Sequence, residues 1–92
     1  MKVTKKLNYF SDPGHGWIAV KRWFLVEIGV DLKAISPYSY QSRTGKTVYL
    51  EEDCDAALLI NAMDKSGYLL ELSAIRMEGR FVNSRTLEGY QP

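Results

Sequence analysis

The segment from Thr47 to Gly67 limits the possible folds of this chain most, because it joins an apolar stretch, an acidic corner and a helical pattern without interruption. Residues 47–50 are β-branched, aromatic or aliphatic, which favours a half-buried strand. Acidic residues then crowd into one corner, at Glu51, Glu52, Asp53 and Asp55. Apolar residues follow at helical spacing, at Ala56, Leu59, Ile60 and Met63. Gly67 is typical of the left-handed residue that ends a helix, so the segment predicts a strand, a turn and a helix.

The acidic corner suits the start of that helix. We expect Asp53 to be the N-cap, since its carboxylate can accept a hydrogen bond from the first turn, and Asp55 to lie where the helix dipole favours an anion. Cys54 is interpreted as a small, half-buried apolar residue, because its acidic neighbours oppose thiolate formation. The same acids can also form a hard-cation site, although no EF-hand spacing accompanies them, or a surface aimed at a basic partner.

The remainder of the chain predicts further strands and a second helix. Residues 2–9 alternate weakly and predict a strand at a sheet edge, residues 17–20 predict a second strand, and residues 21–28 predict a short helix. Residues 38–41 and 47–50 predict a hairpin, and residues 68–77 predict a long final strand. The predicted fold is one α+β domain over residues 1–92, an antiparallel sheet of about four to five strands with both helices on one face. Residues 78–92 are expected to be an extended, partly mobile tail.

Composition limits the class of protein. The chain has 46% hydrophobic residues and a formal charge of +1, which is typical of a globular domain and argues against a dedicated duplex-DNA binder. No apolar run approaches the length of a membrane span, and no signal-peptide pattern is seen at the N-terminus. A single cysteine excludes an internal disulfide and fits a reducing compartment, so we expect a cytoplasmic protein without a membrane or small-molecule partner.

Residues 12–16, D-P-G-H-G, resemble the segment that carries the first zinc ligand in N-acetylmuramoyl-L-alanine amidases. A catalytic zinc needs three protein ligands, and His15 is the only histidine of this chain. We therefore interpret the segment as a tight turn that places His15 and Trp17 at its rim, where they can contact a partner.

The predicted hairpin offers a nucleic-acid surface. Arg43 and Lys46 lie in its turn, and Tyr38, Tyr40 and Tyr49 lie nearby on its strands, so cations can meet phosphates while rings stack on bases. The alternative interpretation is that the charges only solvate the turn and that the tyrosines are half-buried sheet residues.

Three segments together resemble a group of small proteins encoded by bacteriophages and mobile elements: D-P-G-H-G-W at 12–17, I-S-P-Y-S-Y at 35–40 and Y-L-E-E-D-C-D at 49–55. The chain is similar to anti-CRISPR inhibitors of type I surveillance complexes. The resemblance implies a non-enzymatic phage protein without a cofactor, which binds a host complex of Cas proteins and guide RNA in the cytoplasm so that target DNA is not engaged.

From their own chemistry, and not from the resemblance, the expected partner-binding residues are Glu51, Glu52, Asp53, Asp55, His15 and Trp17, and the expected nucleic-acid contacts are Arg43, Lys46 and Tyr40. The alternative is a small accessory or regulatory protein that binds single-stranded nucleic acid through the hairpin.

Overall fold

Two apolar strands, β2 (Gly16–Lys21) and β4 (Thr47–Glu51), form the centre of the sheet. They pair in antiparallel fashion, with Ile18 opposite Leu50 and Val20 opposite Val48, and all four of these side chains are fully buried. The structure, a computed structural model, describes residues 2–79, 81 and 87–92.

The other elements surround this pair. In chain order they are β1 (Val3–Ser11), α1 (Arg22–Glu27), a 3₁₀ turn (Leu32–Ala34), β3 (Tyr40–Ser42), α2 (Ala56–Lys65), β5 (Tyr68–Arg76) and β6 (Leu87–Gly89). The sheet has the order β5-β1-β2-β4-β3-β6. Neighbouring strands are antiparallel except β1 and β5, which run parallel.

The α+β class is confirmed, but the sheet has six strands and is mixed, where we expected about four to five antiparallel strands. The reason lies in α2, which carries the chain from β4 across the sheet to the far side of β1, so that β5 enters parallel to β1. The same crossover makes β1 an interior strand, and its prediction as an edge strand was wrong. The strand predicted at residues 68–77 is confirmed as β5, although it is followed by β6.

Both helices pack on one face of the sheet. Their buried residues join strand residues in one cluster that contains Phe24, Leu25, Ile28, Ala56, Leu59 and Met63. Ile60, which we expected on the apolar stripe of α2, is 46% exposed. The buried residues of the helix are Ala56, Leu59 and Met63. Gly29 and Gly67 follow the two helices with φ values of 86° and 81°, which confirms both predicted helix ends.

The opposite face carries a second, aromatic cluster. Phe10, Trp17 and Tyr49 project from three strands, and Phe81 packs on them with no solvent exposure. Phe81 belongs to the predicted tail of residues 78–92, of which residues 80 and 82–86 lie outside the described part of the chain. Leu87–Gly89 pairs with β3 as an extended strand, and the predicted mobility of the segment stays a prediction. Within the described ranges, no helix has the length and apolar character to span a bilayer.

Candidate functional site

The three segments that carry the resemblance meet at one end of the sheet. They line a shallow groove of about 320 Å³, which we call the motif groove. Its lining residues are His15, Trp17, Pro37, Tyr38, Tyr40, Glu51, Asp53 and Cys54. Each of these residues belongs to segment 12–17, 35–40 or 49–55, although more than 30 residues separate the first of these segments from the last.

Asp12 fixes the turn that places His15 at the groove. One carboxylate oxygen accepts hydrogen bonds of 2.9 Å from the backbone N–H groups of Gly14 and His15, which closes the turn between β1 and β2. The other oxygen accepts a 2.8 Å bond from the backbone N–H of Phe81. These bonds, that from Phe81 foremost, lower the pKa of Asp12. Asp12 therefore ties the turn to the residue that covers the aromatic cluster.

Gly16 is required by the close approach of Tyr9. A Cβ at position 16 would come within 2.8 Å of Cε1 in the Tyr9 ring, which is shorter than real side-chain contacts allow. The Tyr9 hydroxyl then reaches Glu52 and donates a hydrogen bond to its carboxylate. This bond, together with burial and neighbouring acids, raises the pKa of Tyr9 to about 12.

Glu51, and not Asp53, organises the acidic corner. Its Oε2 accepts hydrogen bonds from the backbone N–H groups of Asp53 at 3.0 Å and Cys54 at 2.9 Å, and its side chain is buried. The prediction of Asp53 as N-cap was wrong, because α2 begins at Ala56 and a separate turn precedes it. Asp55 occupies the N-cap position, but its side chain makes no capping bond.

Asp55 points inward and fixes segment 35–40. Its carboxylate accepts hydrogen bonds from Ser36 N–H at 3.0 Å, from the Ser36 hydroxyl at 2.7 Å and from the Ser39 hydroxyl. Ser39 Oγ in turn accepts a 3.0 Å bond from the backbone N–H of Glu51. Asp55 is only 1% exposed, so its expected contact with a partner does not fit this position. The exposed acids of the corner are Glu52 and Asp53.

Of the two residues that we expected at the rim of the 12–17 turn, His15 is exposed and Trp17 is buried. The side chain of His15 is 62% exposed, and its Nδ1 lies 3.8 Å from Glu51 Oε1, close enough for an ion pair when the imidazole is protonated. Trp17 is only 4% exposed because Phe81 stacks on its ring at a centroid distance of 4.8 Å. Its buried Nε1–H has no acceptor among the residues that the structure describes. Of the two, only His15 can reach a partner surface without rearrangement.

Tyr38, which we expected on the first strand of the hairpin as part of a nucleic-acid surface, lies instead in a loop that lines the motif groove. It is 68% exposed, the largest value among the exposed large apolar side chains of the described chain. Its position after Pro37, in a loop held by Asp55, was the available signal, because a loop tyrosine flanked by proline has no strand or helix face to bury it.

The predicted nucleic-acid residues do not form one surface. Tyr40 lines the motif groove, where its ring lies 6.3 Å from that of Trp17, whereas Arg43 and Lys46 are exposed on the hairpin turn. Arg22, which sequence reasoning missed, fixes this turn, because its guanidinium donates to the Gly45 carbonyl at 2.7 Å. The predicted hairpin itself is confirmed.

Cys54 is exposed, where we expected it half-buried, and its pKa is raised by a hydrogen bond to Glu51 and by the neighbouring acids. A raised pKa keeps the thiol protonated at neutral pH, which weakens it as a nucleophile. In residues 2–79, 81 and 87–92, no three His, Cys, Asp or Glu side chains are grouped to hold a metal ion.

No family model, curated protein or solved structure matches this chain.

Proposed function

We propose that this protein is a non-enzymatic phage inhibitor that uses the motif groove to bind a type I CRISPR surveillance ribonucleoprotein in the host cytoplasm. The convergence of segments 12–17, 35–40 and 49–55 in one groove supports the proposal most directly. Segments distant in the sequence that together line one concave surface are typical of a binding site.

The side chains of the groove suit a protein partner. Tyr38 offers a large exposed ring, and tyrosine is enriched among residues that dominate interface energies. Asp53 lies beside it at the rim, where an acid increases the rate of association with a basic surface. Such a surface exists in surveillance complexes, because a positively charged channel receives the target DNA. An inhibitor that occupies this channel blocks DNA sterically, and its acidic side chains repel the phosphates.

The hydrogen bonds beneath the groove add to the affinity. Asp55 and Glu51 fix segments 35–40 and 51–55 before any partner arrives. Binding then costs little conformational entropy, which favours tight stoichiometric association over turnover.

The decisive experiment measures binding of purified protein to a purified surveillance complex, and target-DNA binding by that complex. Tyr38→Ala should raise the dissociation constant by about 30-fold, as expected when an interface hot spot of ~2 kcal/mol is truncated. Trp23→Ala is the matched control, because Trp23 is 58% exposed on α1, outside the groove. Equal affinities for both variants and the unmodified chain would exclude the groove as the binding site.

A second candidate function, binding of single-stranded nucleic acid, is favoured by the sheet face that lacks the helices. A polar groove of about 470 Å³ on this face is lined by Lys6, Asn8, Lys21, Thr47 and Tyr49, among others. The two lysines can meet phosphates while the neighbouring polar groups contact bases. This function predicts direct binding of the isolated protein to single-stranded RNA or DNA, which weakens steeply with salt and is reduced by Lys6→Glu. Absence of any such binding at low salt would exclude it.

A further inference from the structure

The strand β5 forms a long free edge of the sheet. It has nine residues, or a length of about 30 Å, and it is the terminal strand of the sheet order, with no strand beyond it in the described residues. The other edge strand, β6, has only three residues. Long edges are usually protected by proline, lysine or a bulge, because their unpaired N–H and C=O groups recruit other chains. The sequence Y-L-L-E-L-S-A-I-R of β5 contains neither proline nor lysine, its charged residues are Glu71 and Arg76, and its nine residues pair continuously with β1.

Both faces of β5 expose apolar side chains. Leu69 and Ile75 are 49% and 37% exposed on the face opposite the helices, and Leu72 is 44% exposed on the helix face. Three exposed large aliphatic side chains on one free edge favour a partner that adds a strand and covers them.

We propose that this protein forms a homodimer in which β5 of two copies pair in antiparallel fashion across a twofold axis at Leu72. A twofold axis perpendicular to the sheet keeps each face continuous, so paired residues must lie on the same face. With Leu72 opposite its own copy, all nine residues of β5 find partners. Leu69 then lies opposite Ile75, and Glu71 lies opposite Ser73, so that apolar residues meet and no like charges do.

The neighbouring registers are less favourable. A shift that centres the axis on Glu71 places two carboxylates opposite each other, and a shift that centres it on Ser73 places Glu71 opposite Ile75. Each shift also leaves residues at the strand ends unpaired. The register centred on Leu72 therefore pairs the most backbone groups, places apolar side chains opposite each other and opposes no like charges.

Sedimentation equilibrium of the isolated protein tests the proposal. We expect a reversible monomer–dimer equilibrium, and Leu72→Lys should raise the dimer dissociation constant by about tenfold or more, since two lysines then face each other. Val26→Lys is the matched control, because Val26 is also an exposed apolar residue, 58% exposed against 44% for Leu72, and it lies on α1. A monomer at every concentration, or a dimer that both substitutions weaken equally, would overturn the proposal.

Cysteine cross-linking tests the register independently of stability. In a Cys54→Ser background, Leu72→Cys should form an intermolecular disulfide on mild oxidation, because directly opposed Cα atoms in antiparallel strands lie ~4.5–5.5 Å apart, within disulfide reach. Ala74→Cys, on the same face but offset from its own copy, should not cross-link. Cross-linking at position 74 with none at 72 would exclude this register. Both experiments use the isolated chain, so their outcome does not depend on the proposed inhibition.

Discussion

A single buried carboxylate, Asp55, holds two of the three segments of the motif groove together. Asp55→Ala should lower the free energy of unfolding by about 2–5 kcal/mol, because the Ser36 and Ser39 donors lose their acceptor in a buried site. Urea denaturation monitored by circular dichroism measures the change. Asp53→Ala is the control, since Asp53 is exposed and its truncation should change stability by less than about 0.5 kcal/mol. Equal stability of the two variants would contradict this role of Asp55.

The hydrogen bond between Tyr9 and Glu52 makes a distinct prediction about alkaline pH. Because the pKa of Tyr9 is raised to about 12 in the folded protein from 10.0, its contribution to stability is complete below pH 10 and is lost as the pH rises towards about 12. Burial also raises the pKa of Tyr90, so an ultraviolet titration should contain more than one late ionisation, and that of Tyr9 is the one that should respond to Glu52. Glu52→Gln should shift that ionisation back towards pH 10, since the carboxylate is the largest cause. An unchanged titration in this variant would exclude Glu52 as the cause.

At the scale of elements, Phe81 joins the C-terminal part of the chain to the open sheet face. Phe81→Ala should destabilise the fold by about 3–5 kcal/mol, because a fully buried ring that contacts Phe10, Trp17 and Tyr49 is removed. The same substitution should expose Trp17, which is now only 4% exposed, and shift its fluorescence to the red.

The fluorescence measurement is clearest in a Trp23→Phe background, because Trp23 is exposed and would mask the signal. Leu87→Ala serves as the control, since Leu87 contacts the same aromatic cluster but is only partly buried. A Trp17 spectrum that does not change in Phe81→Ala would mean that other residues shield the indole.

The elements were predictable from the sequence, whereas their arrangement was not. Local patterns and glycines gave both helices, the hairpin and β5, because each depends on neighbours a few residues away. The parallel pairing of β1 with β5 depends on the crossover by α2, for which the sequence pattern of either strand holds no signal. The same limit applies to the edge position of β1, whose lysines suggested an exposed strand although Leu7 and Phe10 are buried.

For a related reason, the sequence did not show which acids of the corner face inward. Four neighbouring acids look equivalent in the sequence, but Glu51 and Asp55 face inward and bind backbone and serine donors, whereas Glu52 and Asp53 face solvent. Asp55 turns inward onto Ser36 and Ser39, which are 16 or more residues away, whereas Glu51 turns onto the backbone N–H groups of Asp53 and Cys54. The exposure of Tyr38 in a loop, where we expected a strand residue, follows from the same contact of Asp55 with Ser36 and Ser39.

For the whole molecule, the distribution of charge matters more than the net charge of +1. Acids lie at the end of β4 that carries the motif groove, and Lys21, Arg43 and Lys46 lie at or near its other end. If the groove meets a basic surface, Asp53→Lys should slow association with the surveillance complex by about tenfold at low salt, and the difference should shrink as salt is added. Stopped-flow or surface-based kinetics over a salt series measure this.

Asp64→Lys is the control that makes this prediction specific. Asp64 lies on α2 with 76% of its side chain exposed, so its reversal changes the net charge of the protein by the same amount but leaves the groove intact. Equal slowing by the two substitutions would mean that only net charge matters, which would remove the groove acids from the interface. Slowing by Arg43→Glu with no effect of Asp53→Lys would instead place the interface at the hairpin, because long-range attraction acts on the end of the molecule that approaches the partner.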